Sequence, residues 1–406
     1  GGPKTFDDFW PAWPVYTEED KQALIEVLES RNWGGFPEPN QRARAFAEAF
    51  AAAHDAKYGI CASNGTVTLE VALRAAGIKA GDEVIVTPYT WIATAGAPVA
   101  VNAVPVFADV DPETYCLDAA AVEAAITPRT RAIIPVHLGC AMVDLDAFTA
   151  LAKKHDLVLI EDCAHMHGGK WRDKGVGSHG HFGSFSFQSS KLMTAGEGGI
   201  ILTSDDELAQ RLHSHVNCGR KEPGYDDFEG LVFSGNYRIS EFQAALLQVR
   251  LGAMEPERKV REDNAMYLSG LLESIEGVQP LKRLAQVTHM ACYQYVFRYD
   301  PKAFGGLSRD RFVEALTAEG VPAEGDFYEP VYRSSLFPVT AAQFPALRER
   351  YGERIDPESI HCPVAEKAAY KEAVWLHHPL FMAGHEQMDR IAEAITKIQK
   401  YADELG

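Results

Sequence analysis

Hydrophobic and polar positions form two different patterns along the chain. Between residues 58 and 205, short apolar runs alternate with amphipathic stretches at helical spacing, such as 117–126 and 145–155. The apolar runs predict five strands, at 83–88, 131–137, 157–162, 184–187 and 199–203. Strands that alternate with helices indicate an α/β fold with a mostly parallel sheet covered on both faces. In such sheets ligands bind beyond the carboxyl ends of the strands, so the residues after each run carry the candidate chemistry.

The last third of the chain lacks this alternation. Its pattern predicts a long charged helix at 257–275, a strand at 292–300 and a helix at 308–320 that ends at a glycine. A loop-rich stretch at 322–380 and a final helix at 386–404 follow. Near the start, Thr17 followed by an acidic turn predicts an N-terminal helix. We therefore predict two domains: residues 1–255 form the N-terminal helix and the large domain, and residues 256–406 form a smaller α+β domain.

Charge and cysteine content limit the partners. The 406 residues include 39 Lys and Arg against 57 Asp and Glu, a net charge of −18 that opposes attraction to nucleic acids and anionic membranes. No apolar run is long enough to span a membrane, and the N-terminal residues lack a signal-peptide pattern. The seven cysteines form no CxxC pair, which disfavours zinc sites and disulfides. We expect a cytoplasmic protein that holds any anionic ligand locally.

Lys191 lies in the segment SFSFQSSKLMTAGEGG, where an apolar run ends and a glycine-rich loop begins. Partial desolvation at such a position lowers the pKa of a lysine and frees its amine to form a Schiff base with a carbonyl cofactor. The alternative is a solvated loop lysine without a chemical role.

Asp162 lies two positions after the last residue of the apolar run LVLI (157–160). A carboxylate at this position is suited to hold the protonated ring nitrogen of pyridoxal phosphate, although a helix N-cap or a magnesium ligand is an equal alternative from the sequence alone. His165 and His167 lie two residues apart without a further ligand nearby, which is weak evidence for a metal, and we predict none. We interpret His165 as a neighbour of the ring and His167 as structural.

The turn Ser63–Asn64–Gly65–Thr66 opens an apolar helix. Its free backbone N–H groups, hydroxyl groups and helix dipole suit a phosphate, although a plain helix cap is the commoner use of such a turn. The pattern is not that of a nucleotide P-loop. No GxGxxG follows the first strand either, which disfavours a nicotinamide oxidoreductase.

Taken in chain order, these motifs give the sequence a specific resemblance. It resembles the DegT/DnrJ/EryC1/StrS family of pyridoxal phosphate-dependent aminotransferases, which have the fold type I of aspartate aminotransferase. The motifs that carry the resemblance are SNGT (63–66), PYTWIAT (88–94), EDCAH (161–165), SFSFQSSK (184–191), GEGG (196–199), GNYRISEFQAA (235–245) and CPVAEKAAY (362–370).

The resemblance implies a role for individual residues. It implies that Lys191 bonds to the cofactor, that Asp162 faces the pyridine nitrogen, and that His165 lies near the ring hydroxyl. Trp91 matches an aromatic residue that stacks on the ring, with core packing as the alternative. The positions implied to contact the phosphate are Asn64, Gly65, Thr66, Ser186 and, from the neighbouring subunit, Asn236. The resemblance thus also implies a homodimer with a shared active site.

Within the family, the chain looks most like the branch of scyllo-inosose and 2-deoxy-scyllo-inosose aminotransferases and 3-amino-5-hydroxybenzoate synthase. This implies ping-pong transfer of an amino group from L-glutamine or L-glutamate to a keto-cyclitol in aminocyclitol antibiotic biosynthesis. A benzoate synthase, a nucleotide keto-sugar aminotransferase and a non-catalytic accessory subunit stay as alternatives. The candidates for contact with the acceptor are Tyr328, Tyr332, His377 and His378, because polar and aromatic side chains suit a polyol. The alternative is that these residues only pack the small domain.

Overall fold

The computed structural model describes residues 3–7, 9–35, 40–221, 232–344, 347–348 and 352–405. Its centre is a seven-stranded sheet. The strands are β1 (Tyr58–Ala62), β2 (Glu83–Val86), β3 (Val104–Phe107), β4 (Thr130–Ile134), β5 (Val158–Asp162), β8 (Phe182–Ser186) and β9 (Gly199–Thr203). Their order is β1-β9-β8-β5-β4-β2-β3, and β9 alone runs antiparallel to the other six strands. The predicted α/β fold with a mostly parallel sheet is confirmed.

Both faces of this sheet are buried, as the apolar runs predicted. Ile85 packs into one hydrophobic cluster, whereas its neighbours Val84 and Val86 pack into another on the opposite face. Side chains alternate between the two faces of a strand, so an uninterrupted apolar run supplies both clusters. The covering helices are α2 (Gln41–Ala53), α3 (Gly65–Ala75), α4 (Ala93–Ala100), α5 (Ala119–Ala125), α6 (Leu145–His155) and α7 (Asp206–Val216).

Two helices show how local sequence sets their ends. In α1 (Glu18–Ser30), the Thr17 hydroxyl accepts a hydrogen bond from the backbone of Asp20, and the Asp20 carboxylate accepts one from the backbone of Thr17. Helix α8 (Glu241–Leu272) begins at Ser240 with the same kind of capping box and runs through Pro256. The predicted helix at 257–275 therefore begins earlier than expected. Because α8 continues across position 255, the division into domains 1–255 and 256–406 stays a prediction.

The remaining elements form two small sheets and the C-terminal helices. Strands β10 (Val278–Pro280), β12 (Gln294–Tyr299) and β13 (Ala373–His377) form one antiparallel sheet. Strand β11 (Val287–His289) joins the hairpin of β6 (Lys170–Trp171) and β7 (Lys174–Gly175). The helices are α9 (Arg309–Ala318), α10 (Pro363–Lys367) and α11 (His385–Lys400). Within the loop-rich stretch 322–380, residues 345, 346 and 349–351 lie outside the described part. In the described ranges no helix has the length and apolarity needed to cross a bilayer.

Candidate active site

A cavity of about 620 Å³ lies beyond the carboxyl ends of β2, β5 and β8. Ten of the residues predicted from the sequence line it: Asn64, Gly65, Thr66, Trp91, Asp162, His165, Ser186, Lys191, Tyr328 and His377. Three predicted residues do not line it: Asn236, Tyr332 and His378. The topology of the parallel sheet thus brings together motifs that are more than 100 residues apart in sequence.

Asp162 ends β5 and points a buried carboxylate into this cavity. The Thr94 hydroxyl donates to Oδ2 at 2.9 Å, and the backbone N–H of Ala164 donates to Oδ1 at 3.2 Å. Burial raises the pKa of Asp162, whereas these two hydrogen bonds and the charge of Lys191 oppose the rise. The chain after Asp162 forms turns and no helix, so the residue is not a helix N-cap.

Lys191 follows β8 and extends into the same cavity, with its Nζ 4.3 Å from the centre of the Tyr293 ring. Burial lowers the pKa of the amine from 10.5 to about 8, and the charge of Asp162 acts in the opposite direction. A lysine with these surroundings differs from the solvated loop lysine that the sequence left open. The aromatic face explains how the side chain is held without an ion pair.

We expect this depressed pKa to control how fast the lysine reacts with an aldehyde. Only the neutral amine attacks a carbonyl carbon, so the rate at which the cofactor-free protein captures pyridoxal 5′-phosphate should rise as the pH passes through about 8. Stopped-flow measurement of the absorbance of the lysine-bound cofactor tests this. A rate that keeps rising toward pH 10.5 would show an unperturbed amine and contradict the site.

The N-terminus of α3 provides the anion site. Asn64 caps the helix, since its Oδ1 accepts a hydrogen bond from Val67 N at 2.9 Å. Gly65 and Thr66 line the cavity next to Ser186 at the end of β8, and their amides, in the first turn of α3, have no carbonyl partner within the helix. Donors without a helical partner at a positive dipole end fit a phosphate group.

The close approach of α3 to β8 depends on Gly65, because a Cβ there would lie 2.6 Å from the Cβ of Ser186. We expect Gly65→Ala to lower the free energy of unfolding by about 1 to 3 kcal/mol through overpacking, and to weaken cofactor binding. Gly96→Ala is the matched control in α4, where a Cβ meets nothing within 4 Å; it should raise stability by about 0.5 to 1 kcal/mol. Denaturant unfolding and cofactor titration measure both effects. Equal changes in unfolding free energy and cofactor affinity in the two variants would contradict a close-packed phosphate site at Gly65.

An aromatic stack surrounds the middle of the cavity. His165 lies against the Tyr293 ring with centroids 4.3 Å apart. Its Nδ1 accepts a hydrogen bond from Gly139 N at 3.2 Å, and its Nε2 lies 3.2 Å from the Tyr328 hydroxyl. Burial lowers the pKa of His165 well below its ordinary value, so the ring is neutral. Tyr293 was not predicted as a site residue, although it lies within the predicted strand 292–300; the observed strand β12 begins one residue later, at Gln294.

The far wall of the cavity is polar. His377 donates from Nε2 to Glu324 Oε1 at 2.7 Å, and its Nδ1 accepts from Gln294 Nε2 at 3.0 Å. The hydrogen bond to His377 holds the pKa of Glu324 below its usual range. Gln294, which also lines the cavity, was not predicted; it pairs with His377 across β12 and β13, a register that the sequence does not reveal.

The predicted residues outside the cavity have other contacts. Tyr332 donates to Glu366 Oε1 at 2.7 Å, and His378 contacts the Ser190 carbonyl through Nε2 at 3.0 Å. Asn236 is exposed on the surface of the chain. Trp91, which does line the cavity, is 50% exposed, so it is not a core residue.

A buried group behind the site has metal-ligand residue types. In the described ranges this group consists of His137, Glu161 and Cys163, whose potential ligand atoms lie within 4.8 Å of one another. The Glu161 carboxylate already accepts three backbone N–H groups, from Gly177, His179 and Gly180, each at 2.7 Å. This carboxylate therefore anchors the turn at 177–180, and Asp162 is not part of the group.

The lining residues fit pyridoxal 5′-phosphate. The helix N-terminus and Ser186 match its phosphate, the Asp162 carboxylate matches its ring nitrogen, and the Lys191 amine matches its aldehyde. Because Gly65 has no Cβ, the first turn of α3 lies directly against Ser186, so the two groups that match the phosphate are side by side.

Comparisons with known proteins agree with this arrangement. The model of the DegT/DnrJ/EryC1/StrS aminotransferase family matches residues 14–396. A protein of Streptoalloteichus tenebrarius, provisionally named L-glutamine:3-amino-2,3-dideoxy-scyllo-inosose aminotransferase, is 49% identical over 407 residues, which cover all of this chain and 98% of the relative. The L-glutamine:2-deoxy-scyllo-inosose aminotransferase of the same organism is 39% identical, over 98% of this chain and 96% of its own. The crystal structure of 3-amino-5-hydroxybenzoic acid synthase matches with a TM-score of 0.82 and 33% identity, over 96% of this chain and 98% of its own.

Proposed function

Because the chain belongs to the DegT/DnrJ/EryC1/StrS aminotransferase family, we propose that it moves the amino group of L-glutamine to a keto-cyclitol of the scyllo-inosose type. The pathway would be the biosynthesis of an aminocyclitol antibiotic. Members of this family depend on pyridoxal phosphate, and we propose the same cofactor here. The observation that carries the proposal is the meeting of Lys191, Asp162 and the N-terminus of α3 in one cavity of a chain similar over its full length to inosose aminotransferases.

When bound, pyridoxal phosphate supplies an electron sink and carries the amino group between donor and acceptor. The proposed task of Asp162 is to keep the ring nitrogen protonated, with Thr94 holding its carboxylate in place. Lys191 would take the α-proton of the donor and return it to the cofactor carbon that receives the amine, since its lowered pKa suits both steps near neutral pH. The neutral His165 and the Tyr328 hydroxyl would orient the ring without adding charge.

Because donor and acceptor react in turn at one site, we expect ping-pong kinetics. His377 and Gln294 are the side chains proposed to bind the hydroxyl groups of the ring ketone. Among the described residues that line the cavity, Lys191 is the only lysine or arginine. A nucleotide-linked sugar brings a diphosphate that needs further cations. This charge pattern favours a ketone without a nucleotide.

The experiment is a panel of ketones offered to the enzyme after L-glutamine has donated its amino group. The panel contains 2-deoxy-scyllo-inosose, its 3-amino derivative, scyllo-inosose and a nucleotide 4-keto sugar. Return of the starting absorbance with a keto-cyclitol supports the proposal. Return with the nucleotide sugar alone would replace it with the nucleotide-sugar alternative. L-glutamate in place of L-glutamine in the first step identifies the donor.

We further propose a homodimer in which Asn236 of one subunit reaches the phosphate held by the other. An exposed Asn236 that lies outside the cavity of its own chain suits this role. Mixing Lys191→Ala subunits with Asn236→Ala subunits should restore about a quarter of wild-type activity, since a mixed dimer holds one intact site. Steady-state assays after subunit exchange measure this. Activity no higher than that of the unmixed variants would contradict a shared site.

A further inference from the structure

The segment 9–16, here termed the N-terminal strap, crosses the outside of the loop that leads into Lys191. Trp13 of the strap donates from Nε1 to the carbonyl of Ser189 at 3.1 Å. The strap is fixed on either side of this contact: Trp10 Nε1 donates to the Gly320 carbonyl at 2.8 Å, and the Val15 carbonyl accepts from Arg250 at 2.8 Å. Trp13 therefore reaches the loop from an anchored segment.

His378 contacts the next carbonyl of the same loop. Its Nε2 lies 3.0 Å from the oxygen of Ser190, and its ring meets the Trp13 ring edge-on with centroids 4.8 Å apart. Burial, together with the nearby charge of Arg261, lowers the pKa of His378 to about 2. A neutral imidazole that faces a carbonyl carries its proton on the facing nitrogen, so His378 donates this bond at every working pH.

The inner side of the loop is also held. The Gln188 side chain accepts from Ser190 N at 2.8 Å and from the Ser190 hydroxyl at 2.7 Å, and that hydroxyl lies 2.8 Å from the hydroxyl of Tyr293. The Tyr293 ring in turn lies 4.3 Å from Lys191 Nζ. Two ring N–H donors outside the loop and one tyrosine inside it thus fix the residues that immediately precede Lys191.

We propose that Trp13 and His378 are positioning residues for Lys191, and that the N-terminal strap belongs to the catalytic machinery through them. The inference rests on the proposed role of Lys191 as the amine that captures the cofactor. His378 then acts through the loop and not on the acceptor ketone, which agrees with its place outside the cavity.

Loss of the Trp13 N–H frees one anchor of the loop, and we expect a less firmly held loop to expose the half-buried Lys191 side chain to more water. A net hydrogen bond changes an equilibrium by about threefold to tenfold, so Trp13→Phe should slow capture of pyridoxal 5′-phosphate by about that factor. Better hydration favours the charged amine, so the midpoint of the pH–rate profile should move upward from about 8.

Trp10→Phe is the matched control. It makes the same chemical change three positions earlier in the strap, but the lost bond leads to Gly320, away from the loop. The experiment compares the two cofactor-free variants with wild type by stopped-flow capture of pyridoxal 5′-phosphate between pH 6.5 and 10, and by thermal unfolding. We expect Trp10→Phe to keep the wild-type rate and midpoint, whatever small change occurs in its melting temperature.

A wild-type rate and midpoint in Trp13→Phe would overturn the inference. Equal changes in Trp10→Phe and Trp13→Phe would also overturn it, because the effect would then come from the strap as a whole. Failure of the proposed function gives a different result: Lys191→Ala would still show the absorbance of a lysine-bound cofactor.

Discussion

Replacing Lys191 with alanine is expected to abolish aminotransfer and the absorbance of lysine-bound cofactor together. The side chain is proposed both to hold the cofactor and to move the proton between donor and acceptor carbons. Its loss should lower kcat by about 10⁴-fold or more, the upper end of what a positioned acid–base group supplies. The cofactor should still bind through its phosphate at the N-terminus of α3. Absorbance spectra and steady-state assays with L-glutamine and a keto-cyclitol measure both effects.

Lys282→Ala is the control for this experiment. Lys282 is an exposed lysine that pairs with Glu113 and does not line the cavity, so its removal should leave kcat within about twofold of wild type. Turnover by Lys191→Ala at a rate near that of Lys282→Ala would remove the lysine from the mechanism.

Replacing Asp162 with asparagine is expected to separate activity from stability. Burial disfavours the charged form of Asp162, so a neutral side chain of the same shape should not lower the free energy of unfolding. Activity should nevertheless fall by about 10²- to 10³-fold, the loss seen when one preorganised electrostatic group is removed from an active site. Chemical denaturation and kcat for one preparation provide both numbers. Full activity in Asp162→Asn would contradict the proposed contact with the ring nitrogen.

Thr94→Val refines this test because it keeps the carboxylate and removes the hydroxyl that donates to it. That hydrogen bond lowers the pKa of Asp162, so its loss raises the pKa. The acid limb of the pH–rate profile should therefore move to higher pH, with about a tenfold smaller rate on the acid side. An unchanged acid limb would assign that limb to a group other than Asp162.

The sheet was predictable from the sequence wherever a strand is buried on both faces. Strands β2, β4, β5, β8 and β9 match the apolar runs for this reason. Strands β1 and β3 were not predicted, since they lie at the two edges of the sheet and are only partly buried; β3 also contains Pro105. Helix α8 was predicted too short because Pro256 looks like a helix start, whereas here it lies inside the helix.

The residues at the carboxyl ends of the strands were predictable for a related reason. Asp162 and Lys191 lie two and four positions after the last apolar residue of their runs, and the topology of a parallel sheet brings such positions to one edge. The far wall was not predictable. His377 is the last residue of β13 and His378 is the first residue of the 3₁₀ helix that follows, so one lines the cavity and the other contacts the Lys191 loop. The sequence contains both histidines but does not reveal that their side chains lie in different surroundings.

One site is proposed to carry an amino group from L-glutamine to a keto-cyclitol. Incubating the enzyme with L-glutamine labelled with ¹⁵N at the α-amine and with the 3-amino-2,3-dideoxy-scyllo-inosose ketone tests it most directly. NMR of the product should show ¹⁵N bonded to the carbon that carried the ketone, with the original 3-amino nitrogen unlabelled. A second incubation replaces the keto-cyclitol with a nucleotide 4-keto sugar. An unlabelled cyclitol in the first incubation together with a labelled nucleotide sugar in the second would contradict the proposed transfer.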